Sequence, residues 1–138
     1  YSGGGGSYIF SAGGVGVFPS ICSVGFDSAS NPRAVWKDDA ATSVGLVHAS
    51  AVAATNVVVS ARKTGNVKEL RVNGVLSKTN STALGTATMT ATSIGQFGAG
   101  GSPHNGNISA VVIMKATVSD ADLALIERFV ASLQGQTL

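Results

Sequence analysis

Apolar residues recur along the chain in short runs: YIFSA (8–12), ICSVGF (21–26), RAVWK (33–37), VGLVHA (44–49), NVVVSARK (56–63), VKELRV (67–72), TATMTATSIG (86–95) and NISAVVIMK (107–115). Between them stand turn-forming residues: Gly13-Gly14, the stretch DSASNP with its Asn31-Pro32 signal, Asp38-Asp39, TGN and Asn73-Gly74. β-forming runs broken roughly every eight to twelve residues predict an all-β, antiparallel sandwich or barrel.

The period inside each run says which faces are wet. Thr88, Thr90 and Thr92 alternate with Met89 and Ala91, the signature of a strand with one solvated face. AVVIM (110–114) is apolar at every position, so this strand is expected to be covered on both sides. NVVVSA (56–61) reads similarly, with Arg62-Lys63 emerging into water. Asn73-Gly74 sits between β-formers, and a type I′ turn requires φ > 0 at both of its central residues, a need Asn-Gly meets. Val72 and Val75 then face each other across two paired strands.

The pattern changes once, in VSDADLALIERFVASLQG (118–135). Leu123, Ile126, Val130 and Leu133 follow at helical spacing with Phe129 beside them, one apolar face expected to pack on the body. Ser119 is the N-cap, with Asp122 at the third helical position as a short-armed capping box. Asp120 and Asp122 stand where the helix dipole favours negative charge. Val118 and Leu123 form the hydrophobic staple, and Gly135 is the natural stop.

Composition narrows the class. The chain has 138 residues, 44% hydrophobic and only 12% charged, about half the usual charged share. That is a single compact domain with a Ser, Thr, Asn and Gly surface. Residues 1–7 read as a glycine-rich junction or a loop inside the domain, and 8–138 as one sandwich domain. Tyr1 at the start leads us to expect a piece of something longer, or a processed product. A net charge of +2 on scattered Lys and Arg gives a nucleic-acid groove little support. No apolar run approaches the roughly 20 residues of a membrane helix. Cys22 is the single cysteine and reads as a buried strand residue.

Candidate chemistry is sparse. Glycoside hydrolysis generally takes two carboxyls flanking one bond, yet Glu69 and Glu127 are the only glutamates, and no E-x-D-x-x-E pattern exists. Adjacent Asp38 and Asp39 would point to opposite faces of a strand. His48 and His104 lack neighbours at metal-ligand spacing. Calcium at Asp27, or at Asp38 and Asp39, is set against the favoured reading that these aspartates cap turns. No catalytic residues and no cofactor are expected. Binding candidates are Trp36 with Arg33 and Asn31, and the loop holding His104 and Asn105. Trp36 is either a sugar platform or a core residue between sheets, and the favoured account of His104 and Asn105 is a solvated turn.

Two stretches carry a family resemblance. NVVVSARKTGNVKELRVNGVL looks like the strand, turn, strand and "VNG" hairpin of the laminin-G-like, concanavalin A-like lectin/glucanase superfamily, notably its bacteriophage and bacterial surface modules. SIGQFGAGGSPHNGNISAVVIMKATVSDADLALIERFVASLQG resembles that family's ending. The match spans roughly 56–135. It implies a concanavalin A-like jelly-roll β-sandwich of two antiparallel sheets with the C-terminal α-helix tucked against one end. The family's aromatic-rich opening strands have no counterpart, so a first strand is expected upstream or from another chain, leaving a sheet edge to be covered.

The function so implied is a non-catalytic recognition module on a virion or extracellular surface, of phage receptor-binding or tail-fibre type, contacting a host-surface glycan. The alternative is a structural decoration or assembly domain touching only other virion proteins. A homo-oligomer or a part of a larger chain is expected in either case, with neither nucleic acid nor membrane as partner.

Overall fold

The computed structural model of the chain describes residues 7–13, 20–52, 56–88, 91–95, 104–114 and 117–138; the glycine-rich opening, 1–6, lies outside them. Strands β1 (Ser7–Gly13), β2 (Ser20–Phe26), β3 (Pro32–Lys37) and β4 (Ser43–Val47) form an antiparallel meander. β8 (Ala91–Ile94) returns to pair with β1, giving a five-stranded sheet of order β4-β3-β2-β1-β8. β5 (Val59–Thr64), β6 (Val67–Val72) and β7 (Val75–Asn80) form a second, three-stranded meander, and helix α1 (Asp120–Ser132) follows. The chain is mostly β, with one C-terminal helix.

Register builds the core. Cys22 pairs with Trp36 and Trp36 with Val44, while Val24 pairs with Ala34 and Ala34 with Leu46. Because side chains alternate along each strand, these six share one face of the larger sheet. That face meets Leu70 of β6, with Val59, Ala61 and Leu84 packed around it. The core therefore lies between the two sheets. At the far side of β1 the register slips between Tyr8 and Phe10. A β-carbon on Gly25 there would collide with the Ser7 carbonyl and stand 2.8 Å from the Tyr8 Cα.

The hairpin forms as its residues dictate. Asn73 has φ 49° and Gly74 φ 77°, and Val72 pairs with Val75. Asn73 does more than turn the chain: its amide donates to the Val58 carbonyl at 2.8 Å, and its side-chain oxygen accepts from the Val58 amide at 2.9 Å.

Lys68, on β6, is fully buried. Its Nζ donates to the Asn66 carbonyl at 2.9 Å and to the Thr82 carbonyl. Burial lowers its pKa, and the neighbouring charge of Lys63 lowers it further.

The helix caps behave as expected: the Asp122 amide donates to Ser119 Oγ at 3.1 Å. Gly135, at φ 69°, lets the Gly135 and Gln136 amides donate to the Ser132 and Ala131 carbonyls, the paired bonds of a Schellman motif. The packing face differs from expectation. Leu123, Glu127 and Ala131 are the buried positions, Ile126 and Val130 are half-buried, and Phe129 and Leu133 face solvent. The cause lies underneath. The face of the smaller sheet turned away from the core carries Ser60, Arg62, Glu69 and Arg71, cross-strand pairs of β5 and β6. An apolar helix face there would leave the Arg71 guanidinium dehydrated without the carboxylate that Glu127 supplies.

Three other expectations change. AVVIM is not a strand covered on both sides: 107–114 has no ladder partner among the described residues, and Val112, Ile113 and Met114 are each at least half exposed. NVVVSA is not central either, because β5 is an edge strand beginning at Val59, with polar residues beneath the helix. Among the described residues of the run 86–95, only Ala91–Ile94 is strand. Thr88 is instead bound to Asp39 by its amide at 3.0 Å and its hydroxyl at 2.9 Å; Met89 and Thr90 lie outside the described residues.

Candidate functional site

Four of the five binding candidates gather at one end of the larger sheet. β2 ends at Phe26 and β3 begins at Pro32, which pair with each other, while Phe26 also pairs with Ser7 at the start of β1. The His104 ring stacks on Phe26 with 6.1 Å between centroids and an interplanar angle of 21°, and its Nδ1 lies 3.3 Å from Ser7 Oγ. His104 and the Asn31 turn thus flank the Phe26–Pro32 pair, with Asn105 exposed beside His104. Arg33 lies over the Tyr8 ring, its guanidinium carbon 5.5 Å from the centroid, and is buried. It braces this end of the sheet.

Trp36 does not join them. It is 5% exposed and belongs to the core cluster with Ala34, Leu46 and Leu70. Strand alternation turns the indole inward, so Trp36 is a packing residue and not a platform for a sugar ring.

The aspartates hold loops. Asp27 Oδ1 accepts from the Ala29 and Asn31 amides at 2.9 Å each, and Oδ2 accepts from Asn31 Nδ2 at 2.9 Å. Burial would raise its carboxyl, but these bonds and the charge of Arg33 outweigh that and hold it below the usual range. Asp38 accepts from the Gly85 amide at 2.9 Å and the Thr42 amide at 2.8 Å. The Gly85 bond is the main cause of its lowered pKa, against a burial effect that raises it, with Thr42 and Ala40 adding to the fall. The Asp39 carboxylate likewise accepts from the Thr88 amide and hydroxyl. Among the described residues no three His, Cys, Asp or Glu side chains gather as a metal site would require.

The glutamates are held by arginines. Glu69 accepts from Arg62 Nε at 2.7 Å. Glu127 accepts from Arg71 Nε at 2.9 Å and from the Ser60 hydroxyl. Arg62 also donates to the Val118 carbonyl at 2.9 Å and to Asp120 at 2.6 Å, and Asp120 leads the causes that raise its pKa. A cavity of about 110 Å³ lies between the hairpin turn and α1, lined by Gly74, Ala124, Glu127, Arg128 and Leu138. That is well below the ~300 Å³ at which small-molecule sites begin.

What sequence reasoning missed is apolar and outside. Val75 and Leu76 on β7, Val112, Ile113 and Met114 before the helix, and Leu125, Phe129 and Leu133 on it are all exposed. The four-residue spacing of Leu125, Phe129 and Leu133 was visible, but it competed with the 123, 126, 130, 133 pattern for the inward face. Comparison with known proteins returns no match among family models, curated proteins or solved structures.

Proposed function

We propose that the chain is a non-catalytic structural module that makes protein–protein contacts within a larger assembly, and that its sandwich follows the jelly-roll connectivity of the superfamily it resembles. One observation carries this reading: Val112, Ile113 and Met114 are consecutive, apolar and each at least half exposed. Contiguous apolar surface of this kind marks an interaction site. The virion or cell-surface setting rests on the resemblance.

Glycan recognition remains as a second reading, favoured by the convergence of Asn31, His104 and Asn105 at one sheet end. It lacks the aromatic platform sought in Trp36, and so ranks below assembly. A photo-cross-linking residue at Ile113, in the protein as it occurs in its native particle or cell, tests the first reading. Adducts to protein chains are the expected result. Absence of protein adducts, together with saturable binding on a glycan array abolished by His104→Ala, would replace it with the second.

A further inference from the structure

We infer that the solvent face of α1 is a two-fold interface between two copies of this chain, with the helices paired antiparallel about Phe129; this names the partner for the assembly reading above and rests on it. Leu123, Glu127 and Ala131 face the smaller sheet. Leu125, Phe129 and Leu133 each follow one of these by two residues, roughly 200° around a helix of 3.6 residues per turn. They form a stripe diametrically opposite the packed face, and each is more than half exposed.

The stripe complements itself. It reads Leu, Phe, Leu in either direction, so a two-fold axis at Phe129 sets Leu125 of one copy against Leu133 of the other, as an isologous contact requires. Charge decides the direction. The first turn carries Asp120 and Asp122 and the last turn carries no basic residue. Asp120 is neutralised by Arg62, but parallel pairing would still bring the two Asp122 carboxylates together and align the two helix dipoles. Antiparallel pairing sets each acidic turn beside the other copy's uncharged last turn, with dipoles opposed. Arg128, the charged residue adjoining Phe129, is exposed and keeps its guanidinium in water at the rim while its stem covers apolar surface.

Size sets the strength. A 13-residue helix is about 20 Å long, and ridges spaced four residues apart cross at about 50°. Contact is then concentrated around Phe129 and falls below the ~800 Å² per partner of a standard interface. The dimer is reversible and concentration-dependent.

Sedimentation equilibrium on the full chain, from low micromolar to millimolar concentration, tests this. The mass doubles with concentration, and Phe129→Ser moves the midpoint by about tenfold or more while leaving the circular-dichroism spectrum unchanged, because the side chain is outside the core. Disulfide trapping fixes the register independently. Phe129→Cys cross-links to itself under mild oxidation. Leu125→Cys gives its dimer in high yield only when mixed with Leu133→Cys, with the wild-type chain and its half-buried Cys22 as blank. A chain monomeric at every concentration overturns the inference, as does self-association unmoved by Phe129→Ser. In that last case contacts elsewhere, and the assembly reading, stand without it.

Discussion

Glu127 on α1 and Arg71 on β6 form an ion pair at 2.9 Å, with the Glu127 carboxylate at 3% exposure, and this pair fixes the helix to the sheet face that carries Ser60, Arg62 and Glu69. Removing one partner of a buried pair leaves the other dehydrated and unpaired. Glu127→Ala therefore destabilises the chain by about 2–4 kcal/mol, below the ~3–5 kcal/mol of a fully buried pair because Arg71 keeps some access to water. Glu127→Gln, which still accepts from Arg71 and Ser60, costs distinctly less. Urea unfolding followed by far-ultraviolet circular dichroism measures both, and equal losses would mean that a neutral acceptor recovers nothing.

Two glycines separate strain from collision. Gly74 needs its positive φ of 77°, but a β-carbon there would meet only ordinary contacts with Leu138 and Glu127. Gly74→Val then carries a backbone cost of about 1–3 kcal/mol. Gly25→Ala would drive a β-carbon into the backbone of Ser7 and Tyr8, which cannot yield without opening the β1 bulge. Gly25→Ala is expected to lower the urea midpoint more than Gly74→Val, and the reverse order would show that the bulge relaxes freely.

Strands β1 to β6, the Asn73-Gly74 hairpin and both helix caps were legible because each depends on a few adjacent residues. The inward face of α1 was not, because Glu127 is buried by Arg71 and Ser60, residues 56 and 67 positions away. Periodicity weighs Glu127 as a surface residue, and only the sheet beneath it makes it an interior one. Trp36 was undecided for the same reason: its environment is Ala34, Leu46 and Leu70, a set that register assembles. At the candidate site, Asn31 and His104 read as two loops, and only the Phe26–Pro32 pairing with the Phe26–His104 stack brings them to one sheet end.

Asp38 predicts an acid dependence. Its folded pKa lies below the ordinary aspartate value of 3.8, so above that value the unfolded chain binds no extra proton and the full contribution is present. As pH falls from 3.8 through the folded value the unfolded chain takes up the proton first, and the stabilisation is lost. Asp38→Asn is less stable than wild type at pH 7, and the gap narrows on acidification below pH 4. Urea midpoints of the two proteins across that range check it; a constant gap would mean that the turn is held by shape alone.

At alkaline pH the buried Lys68 and the half-buried Cys22 act in opposite directions. Burial lifts the Cys22 thiol from 9.0 to about 12, so above pH 9 the unfolded chain ionises first and stability declines. For Lys68 the folded pKa lies below 10.5; between that folded value and 10.5 the unfolded chain holds the extra proton, and stability rises with pH. Lys68→Met retains the cysteine and removes the lysine. Wild type therefore gains stability relative to Lys68→Met between pH 7 and pH 10.5, and a flat difference would show that the buried ammonium pays no penalty for its dehydration.

Trp36 decides how a sugar test must be built. It is the single tryptophan, and it fills the space between Ala34, Leu46 and Leu70. Its emission in the folded chain is that of a dehydrated indole and shifts to the red on unfolding, a direct probe of the inter-sheet core. Trp36→Ala leaves a cavity and costs about 3–5 kcal/mol, a large share of the roughly 5–15 kcal/mol that holds a domain together. Loss of glycan binding in that variant would report loss of fold. His104→Ala and Asn105→Ala avoid the confusion, since both sit at the sheet end outside the core cluster. Both are expected to keep the wild-type tryptophan emission and to lower the urea midpoint by no more than about 1 kcal/mol in equivalent stability. A folded-state emission already red-shifted in the wild type would place the indole in water and return Trp36 to the binding surface.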